Sequence, residues 1–178
     1  MKNTVKAIMA MVAVGGLVSA NSSLAGPKGP NIVDVAVAVN SDGPFAGDFD
    51  VLIAAVGAAD PAVAATLTGN GQHTVFAPTD DAFGNLGITT NNVASLPQDV
   101  LTDVLLYHVA KGRRDAEQVT DSTRIRTLLG DFLLQDGGFL TDNVGDEAEI
   151  IFADVPAANG IIHVIDEVLE PIDLPEAE

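Results

Sequence analysis

His73-Thr74-Val75-Phe76-Ala77-Pro78-Thr79-Asp80-Asp81-Ala82-Phe83 sets a short β-branched and aromatic run directly against a proline, and a helix start follows at once. Val75 and Phe76 suit a central strand, and Pro78 ends the ladder because it brings no amide donor. Thr79 stands where a helix cap belongs. Asp80 and Asp81 then fall in the first turn, where carboxylates meet the positive end of the helix dipole. Phe83 returns to the core. A metal role for the two acids lacks a ligand set.

Upstream of this segment, Phe49, Leu52, Ile53 and Val56 fall at i, i+3, i+4 and i+7, one face of an amphipathic helix with Asp48 as its expected N-cap. Asp60-Pro61 breaks or restarts that helix, and Val63 and Leu67 continue an apolar face up to the Gly69-Asn70-Gly71 turn. Ile32 to Val39 alternates partly and fits either a strand or a helix. Downstream, Ser95-Leu96-Pro97-Gln98 has capping-box form, and Val100, Leu101, Val104 and Leu105 supply the buried stripe of a helix that ends near Tyr107-His108. Short apolar runs follow at Ile125 to Leu129, Phe132 to Leu134, Phe139 to Leu140, Ile150 to Phe152 and Ile161 to Leu169. Gly130-Asp131 and Asp136-Gly137-Gly138 separate some of them as hairpin turns. Helices first and strands later give an α+β fold.

Two later segments share the character of the first: Leu106-Tyr107-His108-Val109 and Asn159-Gly160-Ile161-Ile162-His163-Val164-Ile165-Asp166. If the former is extended, only one of Tyr107 and His108 can enter a given core layer. A buried imidazole needs partners for both ring nitrogens. Asn159-Gly160 is a turn dipeptide, beyond which Ile161, His163 and Ile165 share one strand face, so His163 reads as a hydrogen-bonded core residue.

In this order and spacing, the three segments resemble the signature blocks of the fasciclin domain family, with the likeness running from Asn31 to Leu174. The resemblance implies a wedge-shaped β-sandwich with several flanking α-helices. It makes Thr74, Phe76, Pro78, Thr79, Phe83, His108, Gly160 and His163 structural signature residues, with His108 tying its segment to the first block. One module is expected, because Thr-Val-Phe-Ala-Pro occurs once. The function implied is an exported binding module in cell adhesion or in matrix and biofilm contact, recognising an extracellular protein or polysaccharide. Its candidate contacts are Asp154, Val155, Asn159 and Tyr107. Asp154-Val155 stands where animal matrix relatives offer an Asp-Ile pair to integrins, but Phe152-Ala153 departs from the animal motif. The alternative is a carrier of a hydrophobic small molecule such as a carotenoid, in an apolar cleft between the Phe49 to Leu67 helices and the sheet.

The ends and totals agree with export. Residues 1–25 join Lys2 and Lys6 to an apolar run and a small-residue site, the form of a signal peptide, with cleavage expected after Ala25 and Ala20 competing. Residues 26–30 form a Gly/Pro linker, residues 31–174 the domain, and residues 175–178 an acidic tail. The apolar run is too short to span a bilayer comfortably, so a soluble product secreted outside the cell or into a periplasm is expected. Cysteine is absent, which excludes disulfides, thiolate metal sites and a lipid-bearing cysteine. Once Lys2 and Lys6 are removed, six basic residues face 25 acidic ones, a formal charge of 6 − 25 = −19. Nucleic acid is a poor partner for such a field.

Catalysis finds no support. No Gly-x-Ser-x-Gly elbow is present, and His73, His108 and His163 lack paired-ligand spacing. Asp142-Asn143-Val144-Gly145-Asp146 looks like a calcium loop but lacks the register and terminal Glu of an EF-hand. No enzyme activity and no cofactor are expected.

Overall fold

The computed structural model describes residues 29–171. The expected signal peptide, most of the expected linker, the last three residues of the expected domain and the acidic tail lie outside the described residues. Helix α1 (Ile32–Ser41) settles the ambiguous segment. Asn31 accepts from the amides of Val33 and Asp34, and Asp34 accepts from Asn31 in return, a full capping box ahead of buried Ile32 and Val35.

Helices α2 (Asp50–Ala58) and α3 (Pro61–Thr68) meet at 117°, and Asp60 caps α3 with Pro61 behind it. Asp48 does not cap α2. Phe49 takes the N-cap position without a side-chain bond, and the free amides are met from elsewhere. Asn40 Oδ1 accepts from Phe49 N (2.8 Å), and Asp80 Oδ1 accepts from Val51 N (2.9 Å). Among the described residues no single helix is long and apolar enough to cross a membrane.

Strand β1 (His73–Pro78) leads into helix α4 (Asp80–Asn85), capped by Thr79 as expected. The capping box expected at Ser95 does not form. Ser95 lies in a 3-10 turn (Val93–Ser95), and helix α5 (Gln98–Tyr107) begins after Pro97 with no side-chain cap. Tyr107 and His108 are therefore not extended: Tyr107 is the last residue of α5 and His108 its C-cap. Strand β2 (Val109–Lys111) follows, then helix α6 (Ala116–Thr120), which periodicity alone did not reveal.

The remaining strands are β3 (Arg124–Arg126), β4 (Phe132–Asp136), β5 (Phe139–Thr141), β6 (Glu147–Ala157) and β7 (Gly160–Ile165). Two of the expected runs are longer than the strands they hold: β3 stops at Arg126, and β7 at Ile165. Gly137 and Gly138 turn β4 into β5 with φ of 60° and 102°, the left-handed pair that a two-residue hairpin needs.

The seven strands run in the order β2-β1-β7-β6-β5-β4-β3. β1 and β7 are parallel, and the other pairs are antiparallel. β6 belongs to both halves, pairing β5 through Glu147 to Glu149 and β7 through Ile150 to Ala157. A bridge between Ala110 and Thr127 joins β2 to the end of β3, so the sheet folds back on itself. Alternation along β1 and β7 then feeds two cores. Phe76 and Ile165 join Tyr107, Ile125, Leu133 and Leu140 inside the folded sheet, while Val75, Ala77, Ile162 and Val164 pack under the helices. The architecture is the α+β sandwich with flanking helices that the signature blocks implied.

Gly160 fits where no other residue would. A Cβ there would strike the His73 carbonyl oxygen and come within 2.7 Å of Ile32 Cδ1. This is close backbone approach, since Gly160 does not need positive φ.

Candidate interaction surface

The three signature segments converge. Phe76 N donates to His108 O (2.9 Å), and the Phe76 and His163 rings stack with centroids 5.8 Å apart. His108 Nε2 accepts from Leu169 N (2.9 Å), so Nδ1 carries the proton and donates to Val104 O (2.8 Å). Burial pushes this imidazole down to about 4, against the smaller pull of Val104 O and Asp142, and it stays neutral. His163 Nδ1 accepts from Asp154 N (3.3 Å) and Nε2 donates to Arg114 O (3.0 Å). Burial lowers its pKa too, ahead of the opposing effects of Arg114 O, Asp154 and Asp115.

His163 thus ties two surface segments to the core. One is the β2 to α6 loop. Thr74 Oγ1 donates to Gly112 O (2.8 Å) and accepts from Arg114 N (2.9 Å), and Asp115 caps α6 through Gln118 N (2.9 Å). The other is an irregular stretch of β6 whose register to β7 shifts between Ile150 and Val155. At its centre Asp154 holds φ of 63°, the one described non-glycine residue in the left-handed region, a conformation that costs about 1 kcal/mol. Its amide on His163 and its Oδ1 on Ala116 N (2.8 Å) hold it there. Arg113 closes the corner by donating to Ala157 O (2.9 Å).

Bulges re-aim side chains, and this one presents Asp154 outward. Beside it Ile151 and Phe152 are 45% and 46% exposed, and the Phe152 ring lies 5.4 Å from that of Phe45. Val155 is half-buried. The corner offers a fixed carboxylate next to an apolar ledge.

The other two expected contacts point inward. Asn159 has no exposed surface: Oδ1 accepts from Ile32 N (2.8 Å), and Nδ2 donates to Leu67 O (2.6 Å) and Gly69 O (2.9 Å). Tyr107 is equally buried and donates to Phe132 O (3.2 Å). Both are corrected from surface contacts to internal ties, because three backbone groups from α1 and the end of α3 need the Asn159 amide. All eight signature residues are likewise internal, with Thr79 and Gly160 at tight turns and Pro78 closing β1.

Asp142 Oδ1 accepts from the amides of Val144, Gly145 and Asp146, and Oδ2 from Glu170 N. The loop that looked like a calcium site is an internally hydrogen-bonded turn. Among the described residues no group of three or more His, Asp or Glu could hold a metal ion. An apolar cavity does lie between the first three helices and the β1 and β7 strands, lined by Ile32, Leu52, Val56, Leu67, Val75 and Phe76. Its volume is about 60 Å³, against roughly 300–1,000 Å³ for ordinary ligand pockets.

The sequence reading took Phe152 only as a departure from the animal motif and gave no role to the run Lys111-Gly112-Arg113-Arg114. The signal was available, since that run is the densest basic stretch in an acidic chain.

Comparison with known proteins matches residues 47–171 to the family described as Fasciclin domain. The chain is 42% identical over 128 residues to protein sll1483 of Synechocystis, covering 69% of this chain and 67% of that protein. It is 34% identical over 176 residues to the immunogenic protein MPB70 of Mycobacterium bovis, covering 93% of this chain and 88% of that protein. Among solved structures, a fasciclin domain pair from the insect cell adhesion molecule fasciclin I superposes with a TM-score of 0.53 at 23% identity, over 65% of this chain and 42% of that one.

Proposed function

The chain belongs to the fasciclin domain family, and from that premise we propose that it is an exported, non-enzymatic contact module. It meets an extracellular protein or polysaccharide at the Asp154 corner, outside the cell or in the periplasm. The observation that supports this reading most is the strained β6 bulge. Left-handed backbone at an aspartate is unfavourable and persists only where the surroundings impose it. Here His163, Ala116 and Arg113 clamp the corner from three sides, leaving Asp154 Oδ2 and the Phe152 ring on the outside. Preorganised groups bind with less ordering cost.

Asp154→Asn keeps an oxygen for Ala116 and tolerates the left-handed region, so it removes charge with little change of shape. Binding of the purified protein to its native cells or biofilm polymers should fall severalfold in Asp154→Asn and in Phe152→Ser, with both variants fully folded. Unchanged binding in both would remove the corner from the reading. The carrier alternative rests on the small apolar cavity under the first three helices, and a carotenoid would need the helices to part. Colour retained after incubation with pigment and gel filtration would favour it.

A further inference from the structure

We propose that the positively charged strip built from Lys111, Arg113, Arg114, Arg124 and Arg126 is a binding site for an acidic polysaccharide, one bearing carboxylates or sulfates on successive sugars. These five are all the lysines and arginines among the described residues, where 22 acidic residues accompany them. The fold draws them together. Antiparallel pairing at Ala110 and Thr127 brings Lys111 opposite Arg126, and Arg124 and Arg126 share the outer face of β3, with Ile125 turned inward. Arg114 donates to Ser122 Oγ (3.3 Å), two residues before Arg124.

Two observations point outward from the strip. Although carboxylates outnumber cations more than fourfold, none of the five forms an ion pair with a carboxylate among the described residues; their side-chain bonds go to Ala157 O, Ser122 and Gly130 O, and Arg124 and Arg126 lie over Phe132. The loop half is also concave, a shallow cavity of about 480 Å³ lined by Lys111, Arg113, Arg114, Gln118 and Ser122, with Asp121 its one carboxylate. The Arg114 Nε there is buried without a hydrogen-bond partner. An anion in the cavity would meet the ammonium and guanidinium groups that line it, and charge-assisted bonds to guanidinium are the strong kind.

The spacing favours a sugar polymer. Duplex nucleic acid carries a charge every ~1.7 Å, so the surrounding excess of carboxylates repels it hardest. A polyuronate carries one charge per ring, and its hydroxyls suit Gln118 and Ser122. The proposal goes beyond the Asp154 contact and does not require it.

The test uses the purified protein on polygalacturonate, dextran sulfate and neutral dextran at low and raised salt. Wild type should be retained on the two charged polymers, less so as salt screens the charges, and not on neutral dextran. Lys111→Gln with Arg124→Gln should weaken retention roughly tenfold, since charge-assisted hydrogen bonds are lost. Asp99→Asn, at an exposed position in the first turn of α5, should leave it unchanged, which separates loss of the strip's charge from a general change in net charge. No retention at low salt, or retention that the charge-removing pair leaves intact, overturns the proposal. So does retention abolished by a chelator, which would mean cation bridging through the acidic surface. Self-association without polymer that the same pair abolishes would give the strip to the acidic face of a second copy, also against the proposal.

Discussion

The β1 and β7 seam and the β3, β4 and β5 flap belong to one sheet yet live by different rules. Every residue of the seam is buried, whereas β4 alternates exposed and buried along its length. The seam is parallel, with helices on one side and the folded-over flap on the other, so both faces are apolar or hydrogen-bonded, apart from His73 Nδ1, which is buried without a partner. The flap has one wet face, carrying Phe132, Leu134 and Phe139 beside the two β3 arginines. The seam specifies the fold and holds the histidines neutral. The flap and the corner above it are free to meet a partner.

The sharpest break of that contrast is Gly160→Ala, which puts a methyl group onto the His73 backbone across the seam. We expect a loss of about 3 kcal/mol or more, read from denaturant midpoints, because the struck atom is backbone and cannot swing away. A loss below about 1 kcal/mol would show the seam to be looser than its packing.

Acid should come next. His108 titrates at about 4 when folded and at 6.5 when free, so the unfolded chain takes up the proton first. The stability linked to it is fully present above pH 6.5, and about 3 kcal/mol is lost as pH falls toward 4. Acid also relieves repulsion among the carboxylates. The readout is therefore the difference in pH slope between wild type and His108→Gln, and equal slopes would contradict it.

On the flap the effects shrink. Phe132→Ala should cost about 1 kcal/mol, mostly the stacking of Arg124, whose guanidinium carbon lies 4.1 Å from the ring centre. Leu134→Thr, at a side chain 51% exposed, should shift thermal stability within about 0.5 kcal/mol. A larger loss there would mean that the flap's outer face is covered in solution.

Much of the fold was legible because its signals are local. The Thr79 cap, the Asp60-Pro61 restart, the Gly137-Gly138 hairpin and the alternation of Ile161, His163 and Ile165 each sit within a few residues of what they control. The misreadings share one cause. Ser95 has the right neighbours for a capping box, but the chain enters α5 through Pro97, and α2 finds its cap 29 residues away on Asp80. Of the four expected contacts, Asp154 and Val155 reach the surface to differing degrees. Asn159 and Tyr107 look polar and available, but distant backbone groups use their polar atoms.

By itself the sequence determined the family, the α+β order of elements, the turns and caps that neighbouring residues build, and an acidic chain with no cysteine to crosslink it. Tertiary structure alone decided which polar side chains face inward, as when Asn159 meets an amide 127 positions away. It alone brought Arg124 and Arg126 beside the Lys111 to Arg114 run and forced Asp154 into a left-handed turn. The physical reason is that hydrogen-bond satisfaction and charge placement depend on spatial neighbours, which chain order does not reveal until the sheet closes.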